Sequence, residues 1–566
     1  MHGKVTAVYC TLLLLFTAVI FRVYYINASG QQVEAGGARG TYALAIAQTR
    51  GGIYDRNMIN LVNGTQRHLA AVLPTAQAAS ALLTQAENPE ERAGLLARLT
   101  GGLPFVQELS HSDFYATGLD IFRVPQRYSA KKEQLAPHVV GYLNGSGESG
   151  VAGIEGAYNT FLTDTGAQIT MRYRTDAVGR IMEGAGAGVE RSGVGEPVGG
   201  VVLTLDSAIQ KLTQNALAAG CTRGAAVVMD VMNGDILAMA SLPIFDQNAI
   251  AASFTADDAP FINRAVSGFN IGSAFKLIVS AAALESGLSP QYTYRCEGYT
   301  DIDGIIFRCN NHAVHGEIGM ERALQVSCNT YFINLARQMS PGFLLSVAEN
   351  MGFGTVVELA PGLLTQPGNL PESRALSAPA EYANFSFGQG SSLATPLQMA
   401  QAVSILANTG VYVTPRLVQG FTLDGHTLSE TVPLYGANQI ISERTSRIMR
   451  ELMAAVVEGG SGRTAKPLQG GAGGKTSSAQ TGQFRANEEE REEPEEIVHA
   501  WFAGFFPAQQ PRYAVVVFVE GGESGEQVAA PIFRRIADGI SGLGSRRVQT
   551  GKTEEEPQAQ TEGAAA

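Results

Sequence analysis

The stretch GSAFKLIVSAAALE at residues 272–285 carries the pattern from which the rest of the chain can be interpreted. Its apolar residues predict a helix over residues 275–285. Ser273 and Lys276 are three positions apart, so both side chains lie on one face at the start of this helix. A helix N-terminus stabilises an alkoxide and disfavours a protonated lysine. The stretch therefore predicts a serine nucleophile, with Lys276 as its base.

Two further triplets follow this SxxK pattern along the chain. SCN at residues 327–329 opens a second helical segment, and KTS at residues 475–477 lies behind two glycines in a strand-like run of small residues. Similar patterns occur at residues 129–132 (SAKK) and 551–553 (GKT). We discount them, because the first lies in a basic, polar stretch with no following helix and the second lies in the tail. Each triplet alone is a weak signal. The ordered set, with each member in a suitable element, is much more specific.

Strand-like apolar runs lie on both sides of these motifs. Residues 225–230 and 235–240 are joined around Asn233-Gly234, a strong hairpin signal, and residues 501–506 and 513–520 form a second pair. Helical patterns lie between the pairs, at residues 275–285, 322–338, 396–409 and 442–457. Strands at both ends with helices between them predict an α+β domain whose sheet joins distant segments.

Composition excludes several classes of protein. The chain has 566 residues, of which 45% are apolar and 16% charged, so it is neither disordered nor collagen-like. Its length suggests about two to four domains. The net charge of −12 and the lack of a basic cluster argue against a nucleic-acid partner. Five cysteines in so long a chain do not make a disulfide scaffold.

The N-terminus predicts a membrane anchor. Residues 5–21 carry no charge, and the apolar span can run to Ile26 if Arg22 snorkels, which at about 1.5 Å per residue reaches across a bilayer core of about 30 Å. A cleaved signal peptide is the alternative, but Arg22 and two tyrosines follow the span in place of a small-residue cleavage site. We expect residues 1–4 to be cytoplasmic, residues 5–26 to span the membrane, and the catalytic part of the chain to lie outside the cytoplasm.

The motif set resembles the class B penicillin-binding proteins, which are monofunctional peptidoglycan D,D-transpeptidases, and looks like the Gram-positive division or sporulation type. Further matching segments are RGGIYDRN at 50–57, GIE at 153–155, Asp176 with Gly179-Arg180, FGQG at 387–390 and TPLQ at 395–398. The resemblance implies a loop-rich mixed pedestal domain of the dimerisation type at residues 27–200. It further implies a transpeptidase domain at 201–540, with an antiparallel sheet flanked by helices. We expect residues 541–566 to form a disordered tail.

The resemblance also implies the chemistry. Ser273 would attack the penultimate D-Ala of a stem pentapeptide with Lys276 as general base, while Ser327 and Lys475 would pass the proton to the leaving amine. Asn329 would bind the substrate backbone. The remaining implied contacts are an oxyanion hole from the N–H groups of Ser273 and Ser478, and a carboxylate site from the hydroxyls of Thr476 and Ser478. No cofactor is expected.

The implied partners are peptidoglycan stem peptides, β-lactam antibiotics, the membrane, a polytopic membrane glycosyltransferase and other wall-synthesis proteins. Ser477 departs from the family pattern, which has Gly there, and we expect its extra bulk to affect efficiency and β-lactam affinity. Two alternatives stay open: a catalytically weak or inert wall-synthesis scaffold, and a β-lactamase or β-lactam sensor of the same superfamily.

Cysteine and histidine residues suggest two further roles, a disulfide and a metal site. Cys296 and Cys309 bracket a segment with a turn signal at Asp303-Gly304, so a hairpin could bring them together as a disulfide or as two reduced thiols. His312 and His315 resemble a metal pair, but no third ligand is apparent from spacing, and we predict no metal. Cys328, inside the SCN triplet, is predicted to be a small buried filler.

Overall fold

The computed structural model describes residues 14–20 and 40–551, except for 87, 114, 146, 177–179, 183–186, 193–198, 435 and 486–494. The strands are β1 Thr41–Gln48, β2 Gly52–Tyr54, β3 Thr65–Val72, β4 Phe105–Leu109, β5 Leu119–Gln126, β6 Gln168–Arg174, β7 Ala187–Ser192, β8 Gly200–Leu203, β9 Gly224–Asp230, β10 Ile236–Leu242, β11 Phe269–Asn270, β12 Thr293–Cys296, β13 Tyr299–Ile302, β14 Ile305–Arg308, β15 Gly316–Gly319, β16 Glu358–Ala360, β17 Leu363–Leu364, β18 Leu393–Ala394, β19 Val411–Val413, β20 Val418–Thr422, β21 Glu430–Thr431, β22 Ala437–Gln439, β23 Gly473–Arg485, β24 Glu495–Phe506 and β25 Tyr513–Val519. The helices are α1 at 14–20, α2 Ala76–Gln85, α3 Pro89–Thr100, α4 Pro137–Val140, α5 Gly153–Ala157, α6 Asn159–Asp164, α7 Ser207–Ala218, α8 Lys276–Glu285, α9 Met320–Gln325, α10 Asn329–Ala336, α11 Pro341–Asn350, α12 Pro379–Phe385, α13 Pro396–Ala407, α14 Glu443–Gly459 and α15 Ala530–Gly551.

The chain divides into two compact units that interleave along the sequence. The first comprises residues 1–49, 66–124 and 167–195, and the second comprises 50–65, 125–166 and 196–566. The first unit contains two three-stranded sheets, with strand orders β1-β6-β7 and β4-β3-β5. Both units therefore contain segments that precede residue 200. The domain boundaries predicted from the sequence divide the chain at single points, and they stay a prediction.

A five-stranded sheet with the order β10-β9-β25-β24-β23 organises the second unit. Every pair in it is antiparallel, and β25 from the end of the chain lies between β9 and β24. The predicted α+β domain, with an antiparallel sheet that joins distant segments, is therefore confirmed.

Both faces of this sheet are covered, which explains why β9, β10 and β25 are nearly continuous apolar runs. Side chains alternate between the faces. Ala225, Val227 and Met229 of β9 join a large core that includes residues of α8, α10, α13 and α14, whereas Ala226 and Val228 join a smaller core with residues of α7 and α15. The large core holds the nucleophile helix against the sheet.

Two segments quoted for the family resemblance meet in the second unit. Arg50, at the start of RGGIYDRN, forms a buried ion pair with Glu155 of the GIE segment, with Nε to Oε2 at 3.2 Å. The Asp55 carboxylate accepts a hydrogen bond from the Ser207 amide at 2.9 Å. Strand β2 pairs in parallel with β8. These residues therefore attach the start of the second unit to the elements that follow residue 200.

Helix α15 corrects the predicted tail. It continues to Gly551, so residues 541–551 are helical rather than disordered, and residues 552–566 lie outside the described residues. The physical reason is that Ile532, Phe533 and Ile536 of the same helix are fully buried, which anchors its first turns in the smaller core.

The predicted anchor at residues 5–26 lies mostly outside the described residues, of which 14–20 are helical. Among the described residues, no helix combines the length and the apolar character that a membrane span requires.

Candidate active site

Ser273 lies in a short 3-10 turn, residues 272–275, that leads directly into α8. The predicted helix is therefore confirmed, but its first turn is tighter than an α-helix. Gly272 precedes the serine with a φ of +57°, a conformation that favours glycine. Its N–H donates to the carbonyl of Gly388, in the FGQG segment, at 2.9 Å. This backbone arrangement places Ser273 in the wall of the cavity described below.

The Lys276 amine is fully buried one turn after Ser273. It donates to the carbonyl of Ser327 at 2.8 Å, to the Ser327 hydroxyl at 3.2 Å and to Asn329 Oδ1 at 2.7 Å. Burial lowers the pKa of Lys276 to about 7, because the charged ammonium loses its hydration. A substantial neutral fraction near neutral pH is what a general base requires.

The SCN triplet lies between α9 and α10, so the prediction that it opens a second helical segment is confirmed, while the helical pattern over residues 322–338 is interrupted there. Ser327 has a φ of +55°, which is uncommon for a residue with a side chain and marks local strain. Cys328 caps α10, its sulfur accepting from the Tyr331 amide at 3.4 Å. The Asn329 side-chain amide donates to the carbonyl of Arg308 at 3.0 Å. The break turns Ser327 and Asn329 toward Lys276.

The KTS triplet lies in β23, at the edge of the central sheet. Lys475 is fully buried and donates to the carbonyl of Thr476 at 2.8 Å. The pKa of Lys475 is held well below its usual range, mainly by burial and secondly by the positive charge of Lys276. The Thr476 hydroxyl is 2.8 Å from that of Ser461. The exposed Ser478 accepts a hydrogen bond from the Gly525 amide at 3.2 Å.

Ser477, the departure from the family pattern, is accommodated by its neighbours. Its hydroxyl is buried and donates to the carbonyl of Ile271 at 2.8 Å. A Cβ at Gly272 would lie 2.6 Å from this hydroxyl, so the serine requires glycine on the facing turn. The buried Ser477 hydroxyl is therefore satisfied by a hydrogen bond to the segment that carries the nucleophile.

One cavity of about 700 Å³ brings the motifs together. Of the residues predicted for the site, those that line it are Ser273, Ser327, Asn329, Thr476 and Ser478, together with Ser477. Lys276 lies behind this wall, bonded to Ser327 and Asn329, and Lys475 is buried in the strand beside them. The structure therefore assembles the whole predicted set. The discounted SAKK pattern does not contribute, since none of its residues lines the cavity.

Other residues of the cavity wall were not predicted. They include Ser461, Arg308, Asn310, His312, Glu523 and Glu526. Ser461 follows two glycines after α14 and carries no recognisable pattern, although a serine in a glycine-rich loop is a weak signal for a binding contact. His312, one of the two histidines considered as a metal pair, lies in this wall.

The possible disulfide between Cys296 and Cys309 is not formed in the structure. The predicted hairpin is present, since β13 pairs with β14 around Asp303-Gly304, and it does bring the two cysteines together. Their sulfurs are 3.7 Å apart and both thiols are free. Cys328 and His315 lie beside them, with all four ligand atoms within 4.8 Å of one another.

The comparison with known families matches the profile described as "Penicillin binding protein transpeptidase domain" to residues 224–538, more than half of the chain. The chain belongs to the penicillin-binding protein transpeptidase family. The matched range covers all three motifs and the entire central sheet, and the class B assignment made from the sequence is confirmed.

Curated relatives of this penicillin-binding protein agree with that assignment. It is 32% identical to "Stage V sporulation protein D" of Bacillus subtilis over 72% of this chain and 62% of the relative. It is 30% identical to "Peptidoglycan D,D-transpeptidase PbpA" of Mycolicibacterium smegmatis over 60% of this chain and 72% of the relative. The chain thus spans somewhat less than two thirds of the sporulation protein's length.

Solved structures agree on the fold. The D,D-transpeptidase domain of a peptidoglycan glycosyltransferase from Eggerthella lenta is similar with a TM-score of 0.62 and 25% identity, over 88% of this chain and 99% of that one. A chain from a peptidoglycan synthase complex that coordinates polymerization and crosslinking gives a TM-score of 0.67 and 25% identity, over 94% and 98%.

Proposed function

We propose that this penicillin-binding protein is a serine D,D-transpeptidase that cross-links peptidoglycan stem peptides through an acyl-enzyme and is acylated by β-lactams. The observation that carries the proposal is the buried amine of Lys276, bonded to Ser327 and Asn329 behind the cavity wall that contains Ser273. A neutral amine in this position can accept the serine proton.

In the proposed reaction, Ser273 Oγ attacks the carbonyl carbon of the penultimate D-Ala and its proton passes to Lys276. The oxyanion accepts hydrogen bonds from the N–H groups of Ser273 and Ser478. The bond to the terminal D-Ala then breaks, and Ser327 and Lys475 deliver a proton to the leaving amine. A neutral amine from a second stem peptide then attacks the ester carbonyl, the bond from the acyl group to Ser273 Oγ breaks, and a proton from the amine returns to Ser273 Oγ.

The substrate contacts are assigned to the two sides of the cavity. The Asn329 side chain would bind the substrate backbone, with its own orientation fixed by Lys276 and Arg308. The hydroxyls of Thr476 and Ser478 would bind the terminal carboxylate, and Ser461 holds the Thr476 hydroxyl in place. No cofactor enters this scheme, because one amide bond replaces another.

The cellular setting is part of the proposal. Residues 5–26 would anchor the chain in the membrane, residues 27–200 would act as the pedestal, and residues 201–540 would carry the reaction outside the cytoplasm. A polytopic membrane glycosyltransferase is the proposed partner, and the similarity to a chain from a peptidoglycan synthase complex supports a partner of this kind.

Labelling with a fluorescent penicillin, followed by mass spectrometry of the intact protein, tests the activity. We expect one stable adduct, located by peptide mapping to Ser273. Rapid loss of the adduct would instead indicate a β-lactamase, and no adduct would indicate an inert scaffold.

A further inference from the structure

A cluster of three cysteines and one histidine lies directly behind the Ser327–Asn329 segment. Its members are Cys296 at the end of β12, Cys309 after β14, His315 before β15 and Cys328 at the start of α10. The three cysteines are buried, with exposures of 0%, 3% and 0%, and His315 is partly buried. The proposed catalytic scheme uses none of the four side chains.

The distances within this Cys3His cluster correspond to those of a tetrahedral metal site. The sulfur of Cys309 is 3.7 Å from that of Cys296 and 3.6 Å from that of Cys328, and Nδ1 of His315 is 3.3 Å from the Cys296 sulfur. All four ligand atoms lie within 4.8 Å of one another. Sulfurs bound at about 2.3 Å to one tetrahedral zinc ion are separated by about 3.8 Å, which is close to the observed values.

Neighbouring amide and hydroxyl groups donate hydrogen bonds to the sulfurs of Cys296 and Cys328. The Gly298 amide donates to Cys296 at 3.4 Å, and the Tyr331 amide donates to Cys328 at 3.4 Å. The Thr330 hydroxyl donates to Cys296 at 3.1 Å. Donors of this kind orient metal-binding thiolates and stabilise their negative charge.

We propose that Cys296, Cys309, His315 and Cys328 bind one Zn²⁺ ion in a closed tetrahedral site. Three thiolates and one imidazole are a soft ligand set, which suits zinc and disfavours the hard ions Mg²⁺ and Ca²⁺. A disulfide would use only two of three equivalent thiols, whereas a metal engages all four groups. The sequence analysis did not find this cluster because it paired His315 with His312: His312 lines the active cavity, whereas His315 lies with the cysteines.

The position of the site gives it a consequence for the active cavity. Cys328 lies between Ser327 and Asn329, and Cys309 follows Arg308, whose carbonyl holds the Asn329 side chain. A metal bound to both cysteines fixes the two segments relative to each other. The four ligands are thus positioning residues for Ser327 and Asn329. The metal site rests on the cluster geometry, and only its effect on acylation rests on the proposed function.

Metal analysis of the full chain, purified in detergent under reducing conditions, tests the site. After incubation with Zn²⁺ and removal of the excess, we expect about one zinc per chain by inductively coupled plasma mass spectrometry. Cys296→Ser and His315→Gln should lose most of this zinc. Cys221→Ser is the matched control, because Cys221 is a free, partly buried thiol outside the cluster, and it should retain the wild-type zinc content.

A spectroscopic measurement on the wild-type chain avoids dependence on variants that fail to fold. Replacement of zinc by Co²⁺ should give sulfur-to-cobalt charge-transfer bands and the intense d–d bands of a tetrahedral site. Acylation with penicillin should shift the d–d bands, because the acylated cavity and the metal share the Ser327–Asn329 segment.

The outcomes separate the two proposals. Zinc content well below one per chain in the reduced wild-type protein, or octahedral cobalt spectra, would overturn the metal site whatever the activity. Equal zinc content in wild-type, Cys296→Ser and His315→Gln proteins would also overturn it. Stoichiometric zinc without penicillin labelling would support the metal site and contradict the proposed function.

Discussion

The two walls of the active cavity are built in different ways. The helical wall comprises Ser273, Lys276 and residues 327–329, and the strand wall comprises residues 475–478 of β23. The strand wall is part of a regular antiparallel ladder, with Lys475 opposite Ala503 and Ser478 opposite Ala500. In the helical wall Ser327 has a positive φ, as does Gly272, the residue directly before Ser273.

The difference shows where each wall obtains its rigidity. In the strand wall the backbone hydrogen bonds of the sheet fix the side chains, and single side-chain contacts add little. In the helical wall the strained backbone depends on specific contacts, such as the three hydrogen bonds of Lys276. Loss of a single supporting hydrogen bond should therefore have a larger effect in the helical wall than in the strand wall.

The largest effect is expected at the nucleophile. Ser273→Ala should abolish penicillin labelling, because it removes the hydroxyl that forms the ester in the proposed reaction, and should leave the melting temperature close to that of the wild type. Ser129→Ala, in the discounted SAKK pattern, is the matched control and should label normally. Undiminished labelling of the Ser273 variant would refute its role.

Lys276→Met should reduce the acylation rate by about 10²–10⁴-fold, the usual contribution of a general base. In the wild-type protein the rate should rise as the pH increases through about 7, since the pKa of Lys276 is lowered to about 7 by burial and only the neutral amine accepts the proton. Stopped-flow acylation with a chromogenic β-lactam measures both quantities. A rate that is constant between pH 6 and 8.5, a range of about one to two pH units around that pKa, would contradict the assignment.

Gly272→Ala tests the contact between the two walls. The new Cβ would lie 2.6 Å from the Ser477 hydroxyl and the residue would keep a positive φ, so we expect a loss of about 1–3 kcal/mol in the free energy of unfolding. Denaturant unfolding measures this loss.

Ser477→Gly in the same background should recover part of that stability, because it removes the clashing hydroxyl. The Ala479 side chain, 2.9 Å from the same Cβ position, prevents full recovery. Strict additivity of the two substitutions would show that the walls do not interact at this point.

The smallest effect is expected within the strand wall. Ser461→Ala removes one hydrogen bond to the Thr476 hydroxyl and should cost about 0.5–1.5 kcal/mol in transition-state stabilisation, a loss of about 2- to 13-fold in acylation rate. Ser446→Ala, a buried serine of α14 whose hydroxyl donates to the carbonyl of Leu406, is a control for the general effect of removing such a bond. If Ser461→Ala slowed acylation as much as Lys276→Met, the expectation of larger effects in the helical wall would be wrong.

The sequence by itself determined the parts of this protein that depend on local spacing. The three-residue interval from Ser273 to Lys276 places both on one face of a helix, and the apolar runs of β9 and β25 specify strands buried on both sides. The roles of Asn329 and Lys475 were predicted from the family resemblance, because the family motifs that contain them, SCN and KTS, are short patterns visible in the sequence. Turn chemistry at Asp303-Gly304 likewise predicted the hairpin.

Only the tertiary structure decided which distant side chains meet. The Cys3His cluster draws ligands from three strand ends and one helix start, and the intervals between them match no simple metal pattern. The Ser477 hydroxyl finds its acceptor at Ile271, 206 positions earlier in the chain. In each case the deciding contact is long-range, and residue spacing along a chain carries no direct information about such contacts.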